Sequence, residues 1–448
     1  MENSKKSKGS FLGLVPLCVF LVLYFAIGIG TGSFENMPLM IGIAIAIGVA
    51  LVLNKKGEDK LSFEEKVTML CKGAGDDTLI LMVVIFLLAG AFYGIVGAMH
   101  ASDSITNFCL SILPSNMVLP GLFLIGCILS FAMGTSMGTV SALMPIAISL
   151  ANATGFNMAL VCGVVVGGAM FGDNLSFISD TTIAATRTQD IGMRDKFKAN
   201  MLMVLPAVII TLILLAFQTT GGSFTGVSGE YSFVNMIPYV IVIALSLLGA
   251  NVITVMSVGV LAGVIIGVMH GDFTLIGSLA IIHEGMTWME DMSLVAILVG
   301  GLVVLMNYLG GIDWLLYNLT KKTKTARGAE LSIAALVSLI DISTTNNTIS
   351  IITAGPIARD IADEFNIPRA RTASILDLFS SAFQGLLPYG SQLLTAGALA
   401  GISPASILPY SWYSMLMVVF GVVFILLGWP KMSPKNDSSN VEIDKLGA

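Results

Sequence analysis

Long uninterrupted runs of apolar residues dominate the pattern of this chain. Eight of them approach the length that a membrane-spanning helix needs, about 20 residues, and they cover residues 11–30, 37–53, 78–99, 199–217, 234–250, 252–269, 293–311 and 407–428. The runs are continuous and do not alternate between apolar and polar positions, so they predict helices and exclude the strands of a membrane barrel. The pattern therefore predicts an all-α polytopic membrane protein.

Composition and charge are those of a chain that lies largely within a lipid bilayer. Hydrophobic residues make up 55% of the sequence and charged residues 11%, against about 25% charged in soluble domains. The net charge of -6 argues against a nucleic-acid partner. Five cysteines lie far apart and predict neither a metal site nor a disulfide framework.

The positive residues predict how the chain is oriented. All 22 Lys and Arg residues fall in six clusters, at residues 5–8, 55–72, 187–198, 321–327, 359–371 and 431–445. Positive loops remain in the cytoplasm, so the six clusters are placed on one side and residues 431–448 form a cytoplasmic polar tail. With this arrangement, no lysine or arginine is expected inside the membrane.

Two apolar segments must each begin and end on the same side of the membrane. Otherwise the six positive clusters would not all lie on the cytoplasmic side. These segments are residues 117–151, broken at AMGTSMGTV, and residues 330–361, broken at STTNNT. Two full spans need about 40 residues, which is more than either segment contains. Each segment is therefore predicted to be a re-entrant hairpin whose irregular tip is covered by protein or water.

The two halves of the chain resemble each other in consistent order. TSMGTVS at 135–141 matches TTNNTIS at 344–350, and residues 171–184 match residues 383–396. Each half then has five membrane crossings, and because five is odd the second copy is inverted. We predict two inverted-topology repeats, as in secondary transporters. They are residues 1–230, with a hairpin at 117–151 and a broken helix at 158–186, and residues 231–430, with a hairpin at 330–361 and a broken helix at 372–400.

The stretch FGDNLSFISDTT places many polar groups in an apolar run. A carboxylate within the membrane is costly and indicates function, although a polar kink without a ligand is the competing interpretation. Neutral oxygens beside Asp173 suit Na⁺, and protonation of the acid would release the ion. The candidate cation- and proton-binding residues are Asp173, Asn174, Ser176, Ser179, Asp180 and Thr181, with helix capping as the alternative for Asp180.

The hairpin tips TSMGT and TTNNT supply a second kind of group. Their hydroxyls, amides and free helix N–H groups favour an anion, so the site could hold a cation and an organic anion together. The candidate tip residues are Thr135, Ser136, Thr139, Thr344, Thr345, Asn346, Asn347 and Thr348. The second broken helix adds Gln384, Ser391 and Gln392. Asp341 and Asp377 are candidate proton carriers, or else solvated residues of a water-filled vestibule.

The stretch GDNLSFISDTT resembles the GD-x-x-S-P-x-S-D-T-T signature of the NhaC-type sodium/proton antiporter family. TTNNT is similar to hairpin-tip motifs of the wider ion-transporter superfamily, and the resemblance extends from the first helix to about Trp429. It implies an inner-membrane carrier with inverted repeats, with the residues of this stretch in the ion or substrate region. Phe177 stands where the family has a proline. Related carriers include amino-acid and hydroxy-acid transporters.

These observations predict a secondary active transporter that exchanges Na⁺ for H⁺ by alternating access around Asp173. The expected partners are the lipid bilayer, Na⁺ and H⁺, with no other cofactor, and a homodimer is one expected assembly. We expect a multi-pass protein of the prokaryotic inner (plasma) membrane with both termini cytoplasmic. The alternative is a Na⁺- or H⁺-coupled transporter of a small carboxylate or amino acid. No enzymatic activity is expected, because the sequence shows no nucleophile–base pair, metal-ligand cluster or phosphate loop.

Overall fold

The computed structural model describes residues 9–31, 36–55, 60–112, 114–177, 179–218, 230–248, 250–320 and 325–430. Within these ranges the secondary structure is helical and contains no strand. The predicted polar tail at 431–448 and the positive cluster at 5–8 lie outside the described residues.

The described residues of the first half form ten α-helices and those of the second half form eleven. The first ten are α1 (Val15–Thr31), α2 (Leu39–Val52), α3 (Phe63–Ala74), α4 (Asp77–Ala98), α5 (Ala101–Ile112), α6 (Val118–Met133), α7 (Ser136–Thr154), α8 (Met158–Leu175), α9 (Asp180–Gln189) and α10 (Met193–Ala216). The others are α11 (Ile237–Leu247), α12 (Val252–His270), α13 (Leu275–Thr287), α14 (Glu290–Tyr308), α15 (Gly311–Thr320), α16 (Ala326–Thr344), α17 (Asn347–Glu364), α18 (Arg369–Gln384), α19 (Ser391–Ala400), α20 (Pro404–Ile407) and α21 (Trp412–Leu427).

Seven helical segments in the described part of the chain are long and apolar enough to cross a membrane. They are Phe11–Thr31, Leu79–Ala98, Ser136–Thr154, Met158–Gln189, Met193–Ala216, Val252–His270 and Glu290–Tyr308. An eighth is present if the bent pair Ser391–Ala400 and Pro404–Tyr410, which meet at 102°, forms one span. The polytopic helical fold is thereby confirmed.

Three of the predicted spans contain shorter helices than their apolar runs suggest. The run at 37–53 holds the 14 residues of α2, the run at 234–250 the 11 residues of α11, and the run at 407–428 the 16 residues of α21. Pro38 occupies the N-cap of α2 and Leu53 is extended, so the helix starts and stops inside its apolar run. Five crossings in each half stay a prediction.

Two pairs of helix starts beside the breaks are separated by the same interval, which we call the repeat spacing. The interval from Ser136, where α7 begins, to Asn347, where α17 begins, equals the interval from the start of α9 at Asp180 to the start of α19 at Ser391. The sequence matches instead pair Ser136 with Thr345 and Asp180 with Gln392. The pairing by helix starts differs from the pairing by sequence similarity, because a helix starts where the backbone turns and not where residue types match.

Each predicted hairpin consists of two helices joined by a two-residue turn. The turn between α6 and α7 is Gly134 and Thr135, and that between α16 and α17 is Thr345 and Asn346. Gly134 and Thr345 both have a left-handed backbone, at φ 65° and 53°. This conformation is uncommon for a β-branched residue such as Thr345. Thr135 and Asn346 then cap the second helix of each pair.

Close packing of α8 against α6 positions the broken helix beside the first hairpin. Gly126 and Gly168 face each other in this contact, and an added Cβ at Gly172 would lie 2.3 Å from the backbone nitrogen of Phe131. Small residues allow this approach of two membrane helices. The break after α8 is therefore held against the turn that joins α6 and α7.

Candidate functional site

The side chain of Asp173 lies where the broken helix meets both hairpin turns. Asp173 is 5% exposed. Ser179 donates to its Oδ1 at 2.6 Å, Ser136 donates to its Oδ2 at 2.8 Å, and Asn347 Nδ2 donates to Oδ2 at 3.5 Å. Ser136 and Asn347 are the first residues of α7 and α17, at equivalent positions of the two halves. The structure therefore brings together one carboxylate and three neutral donors from both halves of the chain.

The second broken helix extends this network through two glutamines. Gln392 Nε2 donates to the hydroxyl of Ser136 at 2.9 Å, and Gln384 Nε2 donates to Gln392 Oε1 at 3.0 Å. Gln384 Nε2 also donates to the backbone carbonyl of Thr345 at 3.2 Å, and Ser391 donates to Gln392 Oε1 at 3.0 Å. Residues of both breaks and both turns thus share one hydrogen-bonded cluster.

The two breaks occupy matching positions at the repeat spacing, but they carry different side chains. The repeat spacing places Gln384 where the first half has Asp173, so an amide stands in place of the carboxylate. It also places Pro388 opposite Phe177, so the second break has a proline where the first does not. Phe177 instead stacks on Phe197 with ring centroids 4.9 Å apart.

The remaining residues of the first break have distinct partners. Thr181 exchanges a hydrogen bond with Ser179 at 2.8 Å, and the hydroxyl of Ser176 donates to the backbone carbonyl of Phe131 at 2.6 Å. Ser179 occupies the N-cap position of α9. Asp180 lies exposed in the first turn of that helix, where a negative charge interacts favourably with the helix dipole. It is therefore not the N-cap residue.

The remaining tip residues bond mainly to their own turns. Thr139 donates to the Thr135 carbonyl at 3.0 Å, and Thr344 donates to the Ile340 carbonyl at 2.9 Å. Asn346 Oδ1 accepts from the backbone N–H of Ile349 at 2.9 Å. Hydroxyl and cap bonds of this kind shape the turns and leave Ser136 and Asn347 to contact Asp173. Thr348 is half-buried in the first turn of α17.

A buried ion pair lies beside the first break. Lys196 of α10 is 1% exposed and pairs with Asp377 of α18. Its ammonium also donates to the backbone carbonyl of Asn174 at 2.5 Å and to the hydroxyl of Thr182 at 2.8 Å. Lys196 is the fourth residue of the 24-residue helix α10 and lies buried in the bundle and not in an exposed loop. The expectation that no lysine lies within the membrane stays a prediction.

One signal in the sequence could have identified Lys196. Lys196 and Asn200 are at positions i and i+4 and therefore lie on one face of α10. Asn200 Nδ2 donates to Asn174 Oδ1 at 2.7 Å and to the Asn174 carbonyl at 2.9 Å. Both side chains thus hold the end of α8. Lys196 was not singled out from the sequence, because residues 187–198 were assigned to one positively charged loop.

The two candidate proton carriers are in different environments. Asp377 is paired with Lys196, and its Oδ1 accepts from Ser381 at 3.2 Å. Asp341, in the last turn of α16, is fully buried, and neither carboxylate oxygen has a hydrogen-bond partner among the described residues. Asp377 is therefore already neutralised by a cation, whereas Asp341 is not.

A cavity of about 230 Å³ lies between α1, α2 and α14. Tyr24 and Asp291 are among its lining residues. Phe20 stacks on Tyr24 at a centroid distance of 5.7 Å and meets Tyr389 edge-on at 5.2 Å. The hydroxyl of Tyr389 donates to the Ile342 carbonyl at 3.0 Å, next to the second hairpin turn. Three aromatic side chains therefore connect this cavity to that turn.

A bundle of apolar spans that encloses polar groups at the breaks of two helices is typical of helical membrane transporters. The fold and the site thus define the class as that of secondary transporters. The sequence profile described as the Na⁺/H⁺ antiporter family matches residues 9–219 and 224–429. The chain therefore belongs to the Na⁺/H⁺ antiporter family.

Curated relatives are similar to this chain over most of its length. The malate-2H⁺/Na⁺-lactate antiporter of Bacillus subtilis is 23% identical, covering 97% of this chain and 98% of the relative. The Na⁺/H⁺ antiporter NhaC of Alkalihalophilus pseudofirmus is 24% identical, covering 71% and 76%. The arginine/ornithine antiporter ArcD of Halobacterium salinarum is 23% identical, covering 94% and 93%. The names of these three relatives give different substrates, and all three describe an antiporter.

Proposed function

We propose that this protein exchanges Na⁺ for H⁺ by alternating access around the carboxylate of Asp173. The observation that carries the proposal is the set of neutral groups from both halves of the chain, Ser136, Ser179 and Asn347, that converge on this buried acid. A single carboxylate among hydroxyl and carbonyl oxygens suits Na⁺, a hard cation that prefers oxygen ligands.

The same groups can serve both states of the exchange. A hydroxyl can donate to an ionised carboxylate and can also turn its oxygen towards a cation, so Ser136 and Ser179 fit Asp173 with either ion. The hydroxyl of Thr181, bonded to that of Ser179, supplies a further oxygen nearby. Na⁺ and H⁺ would therefore compete for one site, which is sufficient for coupled exchange. Na⁺ and H⁺ are the proposed coupling ions, and no other cofactor is proposed.

For the architecture we propose two inverted repeats, with α6–α7 and α16–α17 as re-entrant hairpins. The shared interval between the starts of α7 and α17 and between those of α9 and α19 supports this proposal. Alternating access then arises when one body moves against the other around the site at the breaks. The cavity between α1, α2 and α14 is the proposed route from one face, closed by Phe20, Tyr24 and Tyr389. We further propose residence in a prokaryotic plasma membrane with both termini cytoplasmic.

Exchange of a small carboxylate or amino acid is the second candidate function. The helix starts of α7 and α17 lie at the site, and free N–H groups at helix starts attract carboxylates. The names of two relatives, the malate-2H⁺/Na⁺-lactate antiporter and the arginine/ornithine antiporter, point to such substrates. A bound Na⁺ at Asp173 would add a positive charge next to the substrate carboxylate.

Transport by purified protein in liposomes distinguishes the two functions. A pH-sensitive dye inside the vesicles reports Na⁺-driven proton movement, and labelled malate, lactate, arginine and ornithine report solute exchange. Sodium/proton exchange predicts proton movement with Na⁺ alone, without any organic solute. Proton movement that requires one of these solutes would instead establish the second function.

Asp173→Asn is expected to reduce Na⁺-driven proton movement to the level of empty liposomes, because the variant lacks the carboxylate that both ions need. Asp190→Asn is the matched control, since Asp190 is an exposed acid at the end of the same broken helix. The control should transport like the wild type. Full Na⁺-driven proton movement in a folded Asp173→Asn protein would refute the proposed role of Asp173.

A further inference from the structure

The ammonium group of Lys196 is surrounded by the kinds of oxygen that bind a small cation. It contacts the carboxylate of Asp377, the backbone carbonyl of Asn174 and the hydroxyl of Thr182. Carboxylate, hydroxyl and free carbonyl oxygens at a helix break are also the ligands of Na⁺ in membrane transporters. None of these three oxygens belongs to the group that contacts the carboxylate of Asp173.

We infer that Lys196 occupies a second cation site as a covalently tethered cation, and that this site binds Na⁺ when the lysine side chain is removed. The inference rests on the proposed function for the choice of Na⁺ as the ligand. Lys196 would then set the number of Na⁺ ions bound per chain. Its ammonium fills the second cation site, so that one mobile Na⁺ binds, at Asp173.

The two cation sites adjoin at one point of the backbone. Asp173 directs its carboxylate to Ser136 and Asn347 at the hairpin turns. The next residue, Asn174, presents its carbonyl to Lys196 on α10. This carbonyl is one of the last four of α8, which lack partners within the helix. A cation at either site therefore stabilises the same broken end of α8.

The ion pair joins the two halves of the chain, and the equivalent pair of positions carries no charge. At the repeat spacing, Lys196 corresponds to Ile407 and Asp377 corresponds to Val166. Both apolar residues are fully buried. A buried charge pair is often no more stable than well-packed apolar residues, so packing alone does not require the pair at this position. A charge pair that is absent from the equivalent positions and lies beside the candidate ion site supports a specific role in ion binding.

The test is equilibrium binding of radioactive Na⁺ to the purified full-length chain in detergent. The wild type is expected to bind one Na⁺ per chain and Lys196→Ala two, because the alanine leaves the three oxygens and the space of the side chain. Lys196→Arg keeps a positive charge at the position and should bind one. A folded Lys196→Ala protein that binds one Na⁺ or none would overturn the inference.

A second variant covers the case in which Lys196→Ala folds poorly. Removing one partner of a buried pair leaves an uncompensated charge, whereas removing both charges does not. The double variant Lys196→Ala, Asp377→Asn should therefore fold and return to one Na⁺ per chain, and two bound ions in this variant would contradict the proposed ligand set. The melting temperature of Lys196→Ala should also rise more steeply with Na⁺ than that of the wild type. An equal dependence would count against the second site.

Combination with Asp173→Asn separates this inference from the proposed function. Asp173→Asn alone should bind no Na⁺, and Asp173→Asn with Lys196→Ala should bind one. If Asp173→Asn alone still binds one ion, the proposed function fails. If Lys196→Ala adds no ion in either background, the second cation site fails.

Discussion

At the residue scale, two neighbouring asparagines in the second hairpin turn have different partners. Asn346 caps α17 and accepts from the backbone N–H of Ile349 at 2.9 Å. Asn347 Nδ2 reaches the carboxylate of Asp173 at 3.5 Å, while its Oδ1 accepts from the backbone N–H of Thr348 at 3.0 Å. One side chain therefore stabilises the helix start, and the other contacts the proposed ion-binding acid.

This difference predicts different defects in the two alanine variants. Asn347→Ala should raise the Km for Na⁺ several-fold, because Asp173 loses a donor that positions its carboxylate. Asn346→Ala should mainly lower the free energy of unfolding, by about 1 kcal/mol, the typical cost of losing an N-cap. Transport at a series of Na⁺ concentrations and thermal melts of the same preparations measure both quantities. Equal loss of stability with an unchanged Km in both variants would make the turn purely structural.

At the scale of elements, the position of the acid depends on how closely α8 approaches α6. Gly172 directly precedes Asp173 and lies so near α6 that a Cβ would clash with Ser130 and Phe131. The Oγ of Ser130 in turn donates to the Ala169 carbonyl at 2.5 Å. Close backbone contact and this hydrogen bond fix the last turns of α8, and with them the carboxylate.

Gly172→Ala is therefore expected to destabilise the protein by about 1–3 kcal/mol, the usual cost of overpacking, and to slow transport by displacing Asp173. The melting temperature in detergent and the rate of Na⁺-driven proton movement check the two effects. Gly97→Ala in α4 is the control, because a Cβ there meets no atom within 4 Å and alanine favours a helix. A Gly172→Ala protein as stable and active as the control would show that α8 tolerates a wider spacing.

At the scale of the whole molecule, positive side chains fix several helix ends in the described part of the chain. Lys66 donates to the carbonyls of Leu51 and Leu53 at the end of α2, and Arg371 pairs with Glu330 at 2.6 Å between α18 and α16. These buried cations link neighbouring helices of the bundle. The positive-inside rule then predicts which of these ends face the cytoplasm.

Accessibility of introduced cysteines tests that orientation. Asn152 near the end of α7 and Arg194 at the start of α10 are both at least partly exposed, and the 32-residue segment Met158–Gln189 between them is long enough to cross the membrane. In a background without the native cysteines, a membrane-impermeant maleimide should label Asn152→Cys in intact cells and Arg194→Cys only after permeabilisation. Labelling of both from one side would contradict the proposed topology.

The sequence singled out some residues of the candidate site and missed others, and the roles of these residues stay a prediction. A carboxylate, an asparagine and several hydroxyls in one broken apolar run were enough to single out Asp173 and its neighbours. The polar turns likewise pointed to Ser136 and Asn347, which the structure brings to Asp173. The Lys196–Asp377 pair was missed, because its partners lie in different halves of the chain and charge counting assigned the lysine to a loop.

The sequence by itself determined that this chain is a helical membrane protein with polar breaks in two long helices, because apolar length and charge placement are local properties of the chain. It did not determine the helix ends, since several apolar runs continue beyond their helices. Only the tertiary structure decided which polar groups meet at Asp173 and that Lys196 faces Asp377. Those contacts join residues distant in sequence, and helix packing selects them in three dimensions.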